Sequence, residues 1–276
     1  ARDRVAIEDV QVYPDVRAKQ VRVRLSLRNA SGREASGALR LAATLQGGEA
    51  LPPLEKPVTL AAGETRVEAV YPMGEACRPW GEFNPAVYVL RASLAASDGQ
   101  VEYQDARDTP FGMRELGVDG TQFTLNGERI FLRGTLECCI FPRTGYPPTD
   151  VESWLKILRA AKDHGLNHLR FHSWCPPEAA FVAGDQMGFL FHVEGPFWTH
   201  PGDGDPLDSF IADECGRMLK AYGNHPSFGF MAYGNEPGGK KHKEFLGALV
   251  DSWKQADPRR LYTAAAGWPM IEQNQY

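Results

Sequence analysis

The residues of this chain best suited to chemistry are carboxylates, an amide and indoles, and the most informative group is Asn235-Glu236-Pro237. A glutamate that ends a strand inside a pocket can protonate a leaving oxygen atom and later remove a proton from water. The neighbouring asparagine can hydrogen-bond a ring hydroxyl beside the bond that breaks. The tripeptide alone leaves open a simpler alternative, in which Gly-Asn-Glu-Pro is only a turn with a solvated glutamate.

Other polar and aromatic residues follow short apolar runs in the same part of the chain. Carboxylates support acid–base chemistry, whereas indole faces stack on the apolar faces of sugar rings. A phosphate ligand would instead call for lysine, arginine or a glycine-rich amide cradle. The mixture therefore favours a sugar ligand. The groups concerned are Glu137-Cys138, His172-Ser173-Trp174, Glu194 with Trp198, and Gly267-Trp268.

These residues need a framework that brings strand ends together, and the sequence from Phe123 onward predicts one. Short apolar runs alternate with helix-length amphipathic stretches, which predicts a parallel sheet with right-handed crossovers. A (β/α)8 barrel and a doubly wound sheet both fit this order. Because no GxGxxG follows the first run, a dinucleotide fold is disfavoured and we favour the barrel, whose functional groups lie at the carboxyl ends of its strands. The predicted strands are 130–132, 168–172, 189–193, 228–233 and 261–266, and the predicted helices are 149–164, 177–187, 207–222 and 241–255.

Residues 1–108 show the periodicity of strands throughout. In residues 21–28 the apolar side chains occupy every odd position, which is typical of a strand with one buried face. Turn-forming residues at 29–32 follow this run. About seven short strands in about 100 residues, with no helical period, predict an immunoglobulin-like β-sandwich. The further runs are 38–45, 65–71, 86–92 and 100–104.

Three motifs occur in the order and spacing of one known family. They are Asn224-His225-Pro226-Ser227 … Tyr233-Gly234-Asn235-Glu236, the junction Phe111-Gly112-Met113-Arg114-Glu115 … Phe123-Thr124-Leu125-Asn126-Gly127 … Ile130-Phe131-Leu132-Arg133-Gly134, and Trp80 … Asn84-Pro85 … Tyr88. In these motifs the chain resembles the glycoside hydrolases of family 2, retaining exo-glycosidases such as β-galactosidases, β-glucuronidases and β-mannosidases. The resemblance implies a multi-domain fold. It comprises an Ig-like β-sandwich at 1–110, a junction at 111–122, and at 123–276 an incomplete (β/α)8 TIM-barrel domain of about five βα units.

The resemblance also implies roles for four matching residues. Glu236 corresponds to the general acid/base and Asn235 to the contact with the sugar 2-hydroxyl. Arg170 corresponds to an arginine on the second strand that holds the nucleophile carboxylate, and the alternative is a salt bridge inside the barrel. Glu194 matches an acidic residue at the end of the third strand, where a binding role and a structural role are both open.

Three more residues are candidates for lining the sugar pocket. His172 lies one position out of register with a histidine of the family, so it either lines the pocket or is a core histidine bonded to backbone. Trp198 and Trp268 are candidate stacking platforms, with ordinary loop and core packing as the alternative. Residues 135–139 also depart from the family, which often places a histidine there. These departures leave the sugar and linkage open.

The primary hypothesis is therefore a retaining exo-glycosidase that hydrolyses a terminal glycosidic bond of an oligo- or polysaccharide. In the family, the nucleophile is a glutamate that ends the seventh strand. A complete barrel typically needs about 250 residues, so we expect this chain to be truncated, to lack the nucleophile and to be inactive alone. Two alternatives remain: an endo-acting glycanase of the same barrel clan, and a truncated non-catalytic carbohydrate-binding or structural fragment.

Composition and charge narrow the possible partners. The chain has 276 residues, of which 43% are hydrophobic and 24% charged, with a net charge of −5. It has neither the long apolar run of a membrane span nor the overall basic balance of a nucleic-acid-binding protein. We expect a carbohydrate partner, no nucleic acid and no membrane, and leave a homo-oligomer open. An extracellular or periplasmic location is suggested only by the family resemblance.

The five cysteines show no metal-ligand spacing. Cys77, Cys138, Cys139, Cys175 and Cys215 are scattered and form no CxxC pair, so we expect buried free thiols. No metal site and no cofactor are predicted.

Overall fold

The computed structural model describes residues 3–204 and 206–276, and it divides into two compact units. The first unit runs up to Pro79 and resumes over Ala86–Met113, and the second consists of Trp80–Pro85 and Arg114–Tyr276.

Seven strands form two antiparallel sheets in the first unit. One sheet has the order β1-β2-β5 and the other β4-β3-β6-β7. Their inward side chains form one apolar core, as in a β-sandwich. The strand number and the two-sheet arrangement agree with the predicted sandwich. The strands are β1 (Val5–Asp15), β2 (Gln20–Asn29), β3 (Ala35–Leu45), β4 (Leu54–Leu60), β5 (Gly63–Pro72), β6 (Val87–Ser97) and β7 (Glu102–Gly112).

The predicted alternation in β2 is confirmed, but two strands are additional to the predicted runs. Val21, Val23, Leu25 and Leu27 are buried, while the intervening residues lie on the outer face. β1 was not predicted because a register shift between Ile7 and Asp9 interrupts the alternation of its buried and exposed side chains. β4 is an edge strand with three consecutive exposed positions, so it carries little apolar signal.

The second unit begins its strand structure with a small antiparallel sheet. Its strands are β8 (Leu116–Asp119), β9 (Gln122–Leu125) and β10 (Glu128–Ile130), in the order β10-β9-β8. The predicted first parallel strand at 130–132 is therefore wrong, because Ile130 pairs antiparallel with Phe123 and Phe131 is 77% exposed.

A five-stranded parallel sheet follows, in the order β11-β12-β13-β14-β15. Its first strand is Gly134–Glu137 rather than the more apolar run before it. The other four predicted parallel strands are present, although the fifth is shorter than expected. The strands are β11 (Gly134–Glu137), β12 (His168–Phe171), β13 (Leu190–Glu194), β14 (Phe228–Ala232) and β15 (Leu261–Thr263).

Four helices connect these strands at the predicted places. Asp150 caps the first helix, because its carboxylate accepts the Ser153 backbone N–H at 2.8 Å. Gly188, in a left-handed conformation, ends the second helix. None of the helices in the described part of the chain is long and apolar enough to span a membrane. The helices are α1 (Val151–Asp163), α2 (Glu178–Met187), α3 (Pro206–Tyr222) and α4 (His242–Ala256).

A buried ionic cluster lies at the amino ends of β14 and β15. Asp257 accepts hydrogen bonds from Arg259 at 2.6 Å and from Arg260 at 2.5 Å. The buried Arg114 donates to the backbone oxygens of Arg259 and Phe228. Burial opposes ionisation of Asp257, but the charges of Arg260 and Arg259 outweigh it and hold its pKa well below the ordinary value. Burial and the same two cations lower the pKa of Arg114 to about 9.

The five cysteines are free thiols, but the expectation that all are buried is wrong. Cys215 is fully buried in α3, whereas Cys77 and Cys175 are half-buried. Cys138 and Cys139 are exposed because they lie in the loop after β11, beyond the end of the strand.

Candidate functional site

The carboxyl ends of the parallel strands bring several predicted site residues to one edge of the sheet. Glu194 is the last residue of β13, and Arg170 lies one residue before the end of β12. Asn235 and Glu236 follow β14 closely, and Asn235 forms a bridge with Ala266 beyond β15. In parallel α/β sheets this edge is where ligands bind.

Arg170 links two other predicted residues through its guanidinium. Its Nε donates to Oε1 of Glu194 at 2.5 Å, and its Nη2 donates to Oδ1 of Asn235 at 2.8 Å. The salt bridge that the sequence left as an alternative is therefore present. Burial raises the pKa of the Glu194 carboxyl, although the hydrogen bonds from Arg170 and Ser173 act in the opposite direction.

Ser173 belongs to a strand-end group that the sequence named, but the sequence assigned it no role. Its backbone N–H donates to Oε2 of Glu194 at 2.7 Å, which occupies the second carboxylate oxygen. Ser173 reaches this position with φ at 55°, in the left-handed region. The local sequence gives little signal for such a contact, because a backbone N–H is independent of residue type.

His192 is a site residue that the sequence did not single out. It is buried in β13, and its Nε2 lies 4.0 Å from Oε1 of Glu194 and 3.4 Å from the hydroxyl of Tyr276. Burial, together with the charges of His168 and Arg170, lowers the pKa of His192 well below the usual value, so the imidazole is neutral beside the carboxylate. The available signal was the spacing, since His192 and Glu194 are two residues apart and share one face of the strand.

Glu236 is half-buried on the loop after β14. Its backbone N–H donates to the oxygen of Ala266 at 3.0 Å, and its φ of 41° is left-handed. A side chain at Gly267 would begin 3.2 Å from Cγ of Glu236, so the glutamate lies directly over this glycine. The neighbouring Asn235 is anchored separately, because its backbone N–H donates to the oxygen of Phe197 at 3.1 Å.

The two predicted stacking residues are both exposed. Trp198 is 60% exposed, and its ring lies edge-on to that of His172 with the centroids 5.6 Å apart. Trp268 is 49% exposed, and its Nε1 donates to the oxygen of Pro237 at 2.8 Å. Each tryptophan therefore presents part of its surface to solvent, and Trp268 does so beside Pro237, the residue after Glu236.

His172 and Glu137 are connected at the ends of β12 and β11. The backbone oxygen of Glu137 accepts hydrogen bonds from the His172 N–H at 2.9 Å and from Nε1 of Trp174 at 3.1 Å. The Glu137 carboxylate accepts the backbone N–H of Cys139 at 3.0 Å, and burial raises its pKa. These contacts fasten the loops that follow the first two strands.

The Asn-His-Pro-Ser motif has a structural setting. The carboxylate of the buried Asp185 in α2 lies 2.6 Å from Nδ1 of His225. It also accepts a hydrogen bond from the Ser227 hydroxyl at 2.6 Å. The Asp185 carboxylate also accepts the backbone N–H of Ser227 at 2.9 Å. The Ser227 hydroxyl and the His225 imidazole both contact Asp185 rather than each other. Asp185, His225 and Ser227 are therefore not arranged as a nucleophile with its general base.

The structure therefore connects Arg170, Glu194 and Asn235 by direct hydrogen bonds. Glu236 is the residue that follows Asn235 in the chain. His172 contacts Trp198, and Trp268 contacts the residue after Glu236. Among the described residues, no group of three or more histidine, cysteine, aspartate or glutamate side chains is placed to hold a metal ion.

Comparison with known proteins follows the same division of the chain. Residues 5–114 match the family model "Glycosyl hydrolases family 2". The β-galactosidase large subunit of Latilactobacillus sakei is 26% identical over 95% of this chain and 42% of its own length. A β-galactosidase of Lactococcus lactis is 26% identical over 66% of this chain and 18% of its length. The chain thus spans less than half of these curated relatives.

Solved structures show a similar fold. A family 2 β-galacturonidase from Eisenbergiella tayi superposes with a TM-score of 0.82 at 19% identity, covering 96% of this chain and 47% of that one. A family 2 member from Bacteroides cellulosilyticus superposes with a TM-score of 0.81 at 21% identity, covering 99% and 36%. At these identities the likeness concerns the fold. The family model over residues 5–114 and the named relatives thus make this chain similar to glycoside hydrolases of family 2.

Proposed function

We propose that this chain belongs to a retaining exo-glycosidase that hydrolyses a terminal glycosidic bond of an oligo- or polysaccharide, with Glu236 as the general acid/base. The observation that carries the proposal is the hydrogen-bonded series Glu194–Arg170–Asn235, whose last residue directly precedes Glu236 in the chain. It supplies a proton-transfer group and a fixed polar contact at the carboxyl edge of a parallel sheet.

The orientation of Asn235 defines its part in the reaction. Because Oδ1 accepts from Arg170, the amide Nδ2 is the atom left to donate toward a substrate. The expected acceptor is the sugar 2-hydroxyl, where a hydrogen bond strengthens as positive charge develops on the ring. Arg170 thereby positions Asn235.

Glu236 would act twice. It first gives its proton to the leaving oxygen, and it then takes a proton from the water that releases the sugar. A retaining mechanism needs a second carboxylate about 5–5.5 Å away. Glu194 does not suit that role, since both of its oxygens already accept hydrogen bonds from Arg170 and Ser173. We therefore propose that Glu194 positions the guanidinium of Arg170.

The fold of the proposed enzyme is an Ig-like sandwich followed by a (β/α)8 barrel. The five parallel strands with four intervening helices supply the support for the barrel. We retain the proposed ranges 1–110, 111–122 and 123–276 for the sandwich, the junction and the barrel portion. Trp198, Trp268 and His172 are proposed to line the sugar site, because Trp268 contacts the residue after Glu236 and His172 contacts Trp198 at the same edge of the sheet.

The test compares Glu236→Gln with the parent enzyme in the intact protein that carries this chain. Loss of the acid should slow glycosides with poor leaving groups by at least about 10²-fold, while activated aryl glycosides keep a much faster first step. Azide should restore turnover and yield a glycosyl azide of retained configuration, because a small nucleophile needs no general base.

Glu244→Gln is the matched control, since Glu244 is an exposed glutamate in the first turn of α4. This variant should behave like the parent on both substrate types. Equal loss on both leaving groups in Glu236→Gln, with no azide rescue, would remove Glu236 from the acid/base role.

A further inference from the structure

The loop that carries Glu236 is paired with the chain that follows β15. The backbone N–H of Tyr233 donates to the oxygen of Ala264 at 3.1 Å. The N–H of Ala266 donates to the oxygen of Gly234 at 3.0 Å, and the N–H of Glu236 donates to the oxygen of Ala266 at 3.0 Å. The parallel pairing of β14 with β15 therefore continues beyond both strands as far as the proposed acid/base.

This β15 extension, residues 264–269, is restrained at both of its ends by one side chain. Oδ1 of Asn274 accepts the backbone N–H of Ala264 at 2.8 Å, and Nδ2 of Asn274 donates to the oxygen of Pro269 at 3.2 Å. Ala264 is fully buried. Because one amide bonds to the first and the last residue of the extension, its conformation is restrained independently of Glu236.

Gly267 is the residue of the β15 extension that lies against the Glu236 side chain. A Cβ atom at position 267 would lie 3.2 Å from Cγ and 3.9 Å from Oε1 of Glu236. The shorter distance is tighter than an ordinary van der Waals contact, so the glutamate would have to move by a few tenths of an ångström. Gly267 also has φ at 90°, a conformation that favours glycine. The bare Cα of Gly267 therefore leaves the space that the Glu236 side chain occupies.

Trp268 holds the same loop at a second point. Its Nε1 donates to the oxygen of Pro237 at 2.8 Å, while the indole remains 49% exposed. Pro237 directly follows Glu236. The β15 extension thus bonds to the loop at the N–H of Glu236 and again at the carbonyl of the next residue.

We propose that Gly267 and Trp268 are positioning residues for Glu236: the glycine leaves room for its side chain, and the indole N–H fixes the loop that carries it. This inference rests on the proposed function, in which Glu236 is the general acid/base. A proton donor must lie within hydrogen-bond reach of the leaving oxygen, so a small displacement slows proton transfer. Substitutions at 267 and 268 should therefore reproduce the kinetic signature of a weakened acid while the carboxylate is still present.

Gly267→Ala in the intact protein tests the contact with the Glu236 side chain. We expect kcat/KM to fall about tenfold on glycosides with poor leaving groups, because the added methyl group displaces the acid. On activated aryl glycosides the change should be less than about twofold, since their departure needs little protonation.

Gly165→Ala is the matched control for this variant. Gly165 has φ at 78°, but among the described residues no atom beyond its chain neighbours lies within 4 Å of an added Cβ. The control introduces the same kind of backbone strain without contact to Glu236. It should lower the unfolding midpoint and keep the parent's ratio of kcat/KM between the two substrate classes.

Trp268→Phe is a second variant, and it introduces no strain at a left-handed residue. It keeps an aromatic face but loses the bond to Pro237, so we expect a loss of about fivefold in kcat/KM on poor leaving groups only. Trp154→Phe is its matched control, because Nε1 of Trp154 also donates to a proline oxygen, that of Pro148, at 2.8 Å. This control should lower stability and leave the ratio between the substrate classes unchanged.

A double variant separates positioning from general support of the fold. If Gly267 acts through the Glu236 carboxylate, adding Gly267→Ala to Glu236→Gln should cost less than about a further twofold, because the acid is already gone. Circular dichroism and unfolding midpoints verify that every variant folds, and Trp268→Phe decides the matter if Gly267→Ala does not.

Three results would overturn the inference: equal losses on both substrate classes, losses that multiply in the double variant, or parent-like ratios in both Gly267→Ala and Trp268→Phe. The proposed function is decided separately, by Glu236→Gln alone. If that variant shows the leaving-group dependence, the glycosidase function stands even when the positioning role fails. If it does not, both proposals fall.

Discussion

Nη2 of Arg170 donates to Oδ1 of Asn235 at 2.8 Å, and this bond leaves Nδ2 as the end of the amide that can donate to another group. A free asparagine can offer either an acceptor or two donors. Here the acceptor is taken, and Arg170 is itself held by the buried Glu194 at 2.5 Å. The amide nitrogen of Asn235 is therefore oriented by Arg170 and Glu194, in the residue that directly precedes Glu236.

This relationship predicts the behaviour of Asn235→Ala. The variant should lose about 10²-fold in kcat/KM on substrates with a 2-hydroxyl, since a contact that strengthens in the transition state is removed. On the matching 2-deoxy substrates the loss should be about threefold or less, because no acceptor is present in either case. Steady-state kinetics of the intact protein with both substrate series make the comparison. Similar losses on both series would show that Asn235 does not act through that hydroxyl.

The Arg170–Glu194 pair predicts a second effect, on stability. Glu194 is fully buried, so Arg170→Met leaves a buried carboxylate without its cation and should cost about 3–5 kcal/mol. The double variant Arg170→Met/Glu194→Gln removes both charges and should recover most of that loss. Urea unfolding of the two single variants and the double variant yields the coupling energy.

Additive losses would contradict a direct pair. Kinetics add a readout that stability alone does not provide: in the double variant the fold is restored, but Asn235 has lost its guanidinium donor. We therefore expect the double variant to remain impaired in kcat when it is stable.

Most elements of the parallel sheet could be predicted from sequence because each βα connection carries its own pattern. Glu178–Met187, for example, ends at a left-handed Gly188. The prediction of the first parallel strand failed for a physical reason. Ile130 belongs to an antiparallel ribbon, whereas the true strand Gly134–Glu137 lies at the sheet edge, is largely exposed and has little apolar character. Hydrophobicity identifies buried strands better than edge strands.

The candidate residues came from two sources: side-chain chemistry at the strand ends named Glu194 and Asn235, and the family resemblance named Arg170. Arg170, Glu194 and Asn235 were all singled out, and the structure joins them by hydrogen bonds. The contribution of Ser173 was not predictable, because it comes from a backbone N–H in a left-handed conformation. The position of His200 against Gly238 likewise depends on two loops meeting, which no local pattern encodes.

The buried trio around Asp185 predicts that the Asn-His-Pro-Ser motif supports the fold rather than the reaction. Ser227→Ala removes a 2.6 Å hydrogen bond to the buried carboxylate and should lower the free energy of unfolding by about 2 kcal/mol. Below its unfolding temperature, the variant of the intact protein should keep kcat within about twofold of the parent. A large fall in kcat with unchanged stability would instead place Ser227 in the catalytic machinery. Unfolding curves and kinetics on the same preparation decide between the two.

The ionic cluster around Asp257 predicts a sensitivity to acid. Burial opposes the charge of Asp257, but Arg260 and Arg259 together hold its pKa well below the ordinary value of about 4. A carboxylate with a depressed folded-state pKa contributes stability that is complete above its unfolded pKa. That contribution is lost as the pH falls below about 4 and approaches the folded-state pKa. The free energy of unfolding should therefore decline over this acidic range.

Asp257→Asn isolates this contribution. At pH 7 the variant leaves the buried Arg260 without its anion and should be less stable by about 3–5 kcal/mol. Between pH 5 and pH 3 its stability should fall less steeply than that of the parent, because the titrating carboxylate is gone. Asp108→Asn is the matched control, since Asp108 forms an exposed pair with Arg91 and should change stability by less than about 1 kcal/mol. If Asp257→Asn retained the full acid dependence of the parent, other carboxylates would have to be responsible for it.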